Sequence, residues 1–291
     1  MGSFVIRLIF GKAQRTMRIF GTTKICAVAG LAAFGAMAAG IPAAGQSTEI
    51  GDVPAPPSTL QPSRPSASGD QIFAELVRHN EVRSAELREY SAVRTYSVTD
   101  LNGKVHAKEI VQMQYVAPDK KTFVTTMEEG SGVVRHLVLH RLMESETSAA
   151  AGQEHHDSSI TPTNYSFRVL GEEELGGHHC FVVEAIPKRK DKYLFEGRVW
   201  IDSSEFAVVK IAGHPAKKLS FWITQADFVR QYEKIGNFWL PARDETFVDV
   251  RLYGKKILGI DHHINSVNGE LNTALTGQDR RVVESAAPRS Q

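Results

Sequence analysis

Apolar positions recur with two periods along this chain. Ile72, Phe73, Leu76, Asn80, Arg83 and Leu87 recur at three- and four-residue steps, which predicts a helix running to about Glu89 with one narrow apolar stripe on a charged cylinder. Its start is marked by Ser68-Gly69-Asp70-Gln71, a capping box in which the serine side chain accepts from the amide three residues on and the glutamine reaches back.

After Tyr90 the period falls to two, and strands are expected at Glu89–Leu101, Val105–Val116, Lys121–Glu128 and Val133–His140. Asn102-Gly103 favours a tight hairpin between the first two. A short helix over Arg141–Ala151 and a surface loop over Gly152–Pro162 follow. Further strands are then expected at Tyr165–Leu175, His178–Pro187, Tyr193–Asp202, Phe206–Ala212, Leu219–Tyr232, Phe238–Tyr253 and Ile257–Val267. Gly176-Gly177, Ser203-Ser204, Gly236-Asn237 and Gly254-Lys255 supply the turns.

Tyr193, Phe195, Val199 and Ile201 alternate onto one face of their strand, as do Phe238, Leu240, Val248, Val250 and Leu252 of theirs. About ten strands with short hairpins and two helical segments predict a mainly β (α+β) domain. Its antiparallel sheet must curve strongly, because a flat sheet of that width does not stay open. The helices are available to cover the apolar face.

Composition changes the picture at both ends. Residues 1–45 contain Arg7, Lys12, Arg15, Arg18 and Lys24 but neither Asp nor Glu, and they run into the apolar stretch Ile25–Ala44. This is the layout of a signal peptide, with Met17 an alternative start and cleavage favoured before Gln46. Thr22, Thr23 and interspersed glycines dilute the run below what a retained membrane span needs, so no stable span is expected after processing. Residues 46–69, rich in Pro and Ser, read as a disordered linker. The folded domain is expected over 70–268, with a polar tail over 269–291.

Removing the leader leaves 29 Lys and Arg against 33 Asp and Glu, a net charge of about −4. That balance argues against a nucleic-acid partner. Cys26 leaves with the leader, so Cys180 is the sole thiol and no intrachain disulfide can form.

Candidate chemistry is sparse. His178 and Cys180, two apart on a strand, share a face and are both zinc-type ligands, but a third ligand would have to come from His262 or His263. The apolar residues Phe181, Val182 and Val183 disfavour a reactive thiolate at Cys180. No GxSxG, CxxC, HExxH or glycine-rich phosphate loop occurs. The runs Glu172–Glu174 and Lys188–Lys190 read as solvated hairpin ends, and Gly197, among Phe195 and Val199, as a bend. No cofactor, no metal and no catalytic residue are expected.

One resemblance emerges from the order of segments. The opening helix, Val111-Gln112-Met113-Gln114-Tyr115-Val116-Ala117-Pro118, Val169-Leu170-Gly171-Glu172-Glu173, Gly177-His178-His179-Cys180-Phe181-Val182-Val183-Glu184 and Arg198-Val199-Trp200-Ile201-Asp202 stand in sequence. Over about residues 70–268 the chain resembles the periplasmic lipoprotein-carrier superfamily of LolA/LolB type, including outer-membrane lipoprotein-sorting proteins and the RseB-type sensor domain. It departs at Ala117, where dedicated carriers place an arginine before the proline.

The resemblance implies an unclosed half-barrel plugged by helices, whose concave face holds acyl chains. Phe181, Val183, Phe195, Val199, Ile201, Phe238, Leu240, Val248 and Val250 are the expected cavity lining. It also implies a monomeric periplasmic carrier or sensor, partnered by a lipid or acylated lipoprotein and by a membrane-associated acceptor. The alternatives are a non-catalytic interaction or signalling module of the same fold and, less favoured, a metal-dependent enzyme. A reporter fused after residue 60 is expected to yield an exported, soluble product about 45 residues shorter than translated; cytoplasmic retention, or an alkali-resistant membrane pellet, would refute the leader assignment.

Overall fold

The computed structural model describes residues 68–273 apart from 119, 151–159, 192, 220 and 222. The expected leader, most of the linker and all but the start of the polar tail lie outside the described residues. Helix α1 (Gly69–Glu86) begins as its sequence dictates: Gln71 N donates to Ser68 Oγ at 3.3 Å and Ser68 N to Gln71 Oε1 at 2.8 Å. It ends at Glu86 rather than about Glu89 because a distant residue intervenes. Asn268 accepts from Arg88 N at 2.8 Å and donates to Glu86 O at 3.0 Å, turning the chain into the first strand.

The strands are β1 (Glu89–Asp100), β2 (Val105–Val116), β3 (Lys120–Gly130), β4 (Tyr165–Leu175), β5 (His178–Pro187), β6 (Phe195–Asp202), β7 (Ala207–Pro215), β8 (Ile223–Ile235), β9 (Phe238–Val250), β10 (Gly254–Val267) and β11 (Glu270–Leu271). They form one eleven-stranded sheet ordered β3-β2-β1-β10-β9-β8-β7-β6-β5-β4, with β11 beside β10. All its pairings are antiparallel. Among the described residues β3 and β4 have no second strand partner, so the sheet is not closed.

The expected strand Val133–His140 is helical. Gly132–Val134, a π-helical turn Arg135–His140 and Arg141–Ala150 run on without interruption as one helix, α2. β-branched residues suggested a strand, but Val134, Val138 and Leu142 are spaced by four, and Ser131 caps the start, accepting from Val134 N at 3.4 Å. Leu252 is a second correction. It lies in the turn between β9 and β10, 89% exposed and with φ 69, rather than on the face of β9.

Strand register shows how one face runs across the whole sheet. Val169, Val183, Val199, Ile211, Arg230, Asp244, Ile260, Tyr96, Glu109 and Glu128 pair each with the next, from β4 to β3. Both helices lie on this face. Ile72, Phe73 and Leu76 of α1 pack over Val183, Phe195, Val199, Ile201 and Ile211, and Phe73 stacks on Phe167 with ring centroids 3.5 Å apart. Leu139, Leu142 and Met143 of α2 pack over Tyr96, Val98, Val111 and Ile260. On the opposite face Cys180, Val182, Trp200, Val209 and Trp239 form a cluster of their own.

Gly197 owes its place to a close approach rather than to a bend. It faces Gly213 across the β6–β7 ladder, and a Cβ there would lie 2.1 Å from Ala212 O and 2.6 Å from Gly213 Cα. The absent side chain is space already occupied by the neighbouring backbone. Gly197→Ala is therefore expected to cost at least about 3 kcal/mol, the upper range for overpacking, read as a fall in the urea midpoint; a change under about 0.5 kcal/mol would show that the two strands yield freely.

Candidate functional site

The expected cavity residues fall into three places. Val183, Phe195, Val199 and Ile201 are fully buried under α1, with Phe181 packed against that cluster. Leu240 and Phe238 belong to a second cluster with Leu87, Tyr90, Ala92, Met113 and Ile264. Val248 and Val250 are half-buried, paired with Ala226 and Ile223 near the end of β9.

Between the compartment under α1 and the one under α2 runs a seam of buried charge. Arg94 and Glu146 are 2% exposed each. Arg94 Nη1 donates to both carboxylate oxygens of Glu146 at 2.8 and 3.0 Å, Lys121 Nζ lies 3.3 Å from Oε2, and the Tyr96 hydroxyl donates to Oε1 at 3.3 Å. This group fastens α2 to β1 and β3. Next to it, His262 Nε2 lies 3.1 Å from Asp244 Oδ2, and Arg230 Nε donates to Asp244 Oδ1. Arg94 and His262 are register partners, so the two groups meet on adjacent strands.

The seam shifts its own protonation. Burial alone would raise the Glu146 carboxyl, but Arg94 and Lys121 outweigh it and the pKa falls below the ordinary value. Burial likewise opposes ionisation of Asp244, yet Arg230 and the His262 hydrogen bond hold that carboxyl at about 2. His262 is pushed down, by burial first and by the Arg94 charge second, against the pull of Asp244. Tyr96 is pushed up by burial and by Glu146. Among the described residues, Arg94 Nε and His262 Nδ1 are buried without a hydrogen-bond partner.

Sequence reasoning missed this seam, although it leaves a trace. Arg94 sits between Ala92 and Tyr96, and Glu109 between Ala107 and Val111, at inward positions of alternating strands. A charged residue at an inward position requires a buried partner, and that of Arg94, Glu146, comes from a helix with no local link to it.

Among the described residues, no third ligand joins His178 and Cys180. His178 Nδ1 lies 3.0 Å from Asp202 Oδ2, and its ring meets Trp239 edge to face with centroids 4.9 Å apart. Asp202 also accepts from the Ser204 and Glu205 amides, ordering the β6–β7 turn. His262 is engaged with Asp244 on the helix-covered face, whereas Cys180 packs in the cluster on the other face. Burial first, then Asp202, Glu174 and Glu173, push the Cys180 thiol up to about 12. Glu173 is not simply solvated, since it accepts from Trp200 Nε1 at 2.9 Å.

A family model described as an uncharacterized protein matches residues 141–251. No curated protein matches. Among solved structures, the chain is similar to a putative outer membrane lipoprotein-sorting protein domain from Vibrio parahaemolyticus, at 12% identity over 73% of this chain and 97% of that one, TM-score 0.37. It is also similar to a LolA superfamily protein from Nitrosomonas europaea, at 9% identity over 68% and 92%, TM-score 0.32. A third similar structure is the Mycobacterium tuberculosis lipoprotein LppX, at 12% identity over 72% and 99%, TM-score 0.27.

The seam predicts a pH dependence with a definite sign. A buried histidine with a lowered pKa contributes stability that is present above the unfolded value near 6.5 and is lost as pH falls through the folded value. Asp244 and Glu146 contribute stability present above their unfolded values of 3.8 and 4.5 and lost below them. Denaturant titrations should therefore show wild type losing more stability than His262→Asn between about pH 6.5 and 4.5; parallel curves would refute the assignment. Glu146→Gln, which strands the Arg94 charge, should cost about 3–5 kcal/mol at pH 7.

Proposed function

We propose that this chain is an exported, non-catalytic binding protein, a periplasmic carrier or sensor that shelters an acyl chain of a lipid or lipoprotein between α1 and the sheet. The observation that carries this reading is the mismatch between the floor and its cover. A floor of Val183, Phe195, Val199, Ile201, Ile211 and Phe228 is closed by a helix that contributes only Ile72, Phe73 and Leu76 to the same buried cluster. The polar attachments of α1 to the sheet are concentrated at its C-terminal end, where Arg83 donates to the Glu205 and Phe206 carbonyls. An N-terminal half held by apolar contact alone is suited to being displaced by another apolar body.

Magnitudes favour the exchange. Three buried side chains at about 1.5–3 kcal/mol each hold α1 with roughly 5–9 kcal/mol. An acyl chain of about 14 methylenes, at about 0.8 kcal/mol each, brings about 11 kcal/mol. The ligand outweighs the helix stripe on the same floor. Phe181, Val183, Phe195, Val199 and Ile201 are then the proposed contacts, with Phe238, Leu240, Val248 and Val250 on the part of the face beyond the seam.

A second reading is favoured by one edge. Among the described residues β3 pairs only with β2, and it is exposed along most of its length, with Val124 60% and Met127 39% exposed. Such an edge can accept an added strand from a protein segment, as a signalling module would require.

Phe73→Ala separates carrier from ordinary core. It should cost about 3–5 kcal/mol of stability and yet tighten binding of a fluorescent fatty acid, because helix and ligand compete for one floor. Val199→Asn should weaken the same probe. If the purified protein holds no lipid by mass spectrometry and binds no acyl probe, or if Phe73→Ala weakens binding in step with stability, the carrier reading fails.

A further inference from the structure

Glu109 is the most sequestered carboxylate of the sheet, and the bonds it makes do not explain it. Its side chain is 0% exposed, it stands on the helix-covered face opposite Tyr96 and Glu128, and Oε2 has no hydrogen-bond partner among the described residues. Beside it stand Arg135, whose Nε lies 3.5 Å from Oε1, and His140, whose Nε2 lies 3.0 Å from the same oxygen. Arg135 is shared, since its Nη2 donates to Glu128 Oε2 at 2.8 Å and its Nη1 to the Gly130 carbonyl at 2.8 Å. Two carboxylates thus share one guanidinium and one imidazole.

Local backbone geometry produces this gathering. In a π-helical turn, hydrogen bonds join residues five apart, and the turn Arg135–His140 brings its first and last side chains to the same carboxylate. The β2–β3 ladder sets Glu128 directly across from Glu109. Ligand atoms of Glu109, Glu128 and His140 consequently lie within 4.8 Å of one another.

We propose that Glu109, Glu128 and His140 bind one divalent transition-metal ion of the zinc type. Two carboxylates and an imidazole are hard-to-borderline donors suited to such an ion. A tetrahedral ion about 2.0–2.1 Å from each ligand needs donor atoms about 3.3–3.4 Å apart, which side-chain adjustment alone can reach from the present spacing. The ion would take the place of Arg135 beside Glu109 and displace that guanidinium outward. Glu128 is 45% exposed and His140 37%, so an ion can enter from solvent and a fourth position can be filled by water. Bound there, it would tie α2 to the β2–β3 hairpin, independently of whether an acyl chain binds under α1.

The test is equilibrium dialysis of the untagged mature protein against Zn²⁺, with Co²⁺ absorption as the ligand signature. One equivalent of zinc is expected, with Glu128→Gln and His140→Asn each weakening binding at least tenfold. Glu128 is largely exposed, so its variant keeps the fold, which circular dichroism verifies. Arg135→Gln, which removes the competing cation, should bind at least as tightly as wild type. The proposal is overturned if no stoichiometric zinc binds, if both ligand variants retain wild-type affinity, or if Co²⁺ shows thiolate charge transfer that disappears with Cys180→Ser.

Discussion

A sheet with one apolar face has to cover that face, and an open sheet cannot do so by closing on itself. Here a single face runs unbroken from β4 to β3, and the main cover comes from two helices of modest length placed over opposite ends. The rest of the architecture follows from that shortage. Each helix brings a narrow apolar stripe, so each can seal only the strands directly beneath it. The middle of the face, where neither stripe reaches, has to be solved by other means.

The solution is charge. Arg230, Asp244, His262, Arg94 and Glu146 occupy the stretch between the two compartments and pair with one another. Ion pairs of this kind rarely add net stability over a well-packed apolar replacement, because desolvating both charges offsets their attraction. Arg94 accepts a carboxylate in one place only, so α2 is fixed in position and rotation by Glu146, whereas apolar contact alone would tolerate sliding. The two helices are therefore held differently, α2 by buried charge and α1 by apolar packing with a polar latch at one end.

Strand periodicity made most of the sheet readable before any coordinates. β2, β4 and β5 fall on the expected residues, and the capping box at Ser68 forms as written. What stayed hidden depends on residues far apart in sequence. Asn268 ends α1 from across the chain, Glu146 completes Arg94 from a helix, and the start of α2 hides behind β-branched residues whose spacing of four reads equally as an apolar strand run. The expected lining illustrates the same limit. Alternation within a strand says which side chains share a face, but it cannot say which part of that face a helix will occupy. Phe195 and Val199 lie under α1, whereas Phe238 and Leu240 belong to another cluster.

The buried thiol of Cys180 has a use for anyone wishing to watch the helices move. At about 12 its pKa leaves almost no thiolate at neutral pH, and the sulfur is sealed from solvent on the face away from both helices. Maleimides and similar reagents should pass it by in the folded chain. A cysteine introduced on the outer side of α1 and another on the outer side of α2 would therefore be the reactive thiols of the domain, and a dye pair placed on them could follow the distance between the two covers without first removing the native residue.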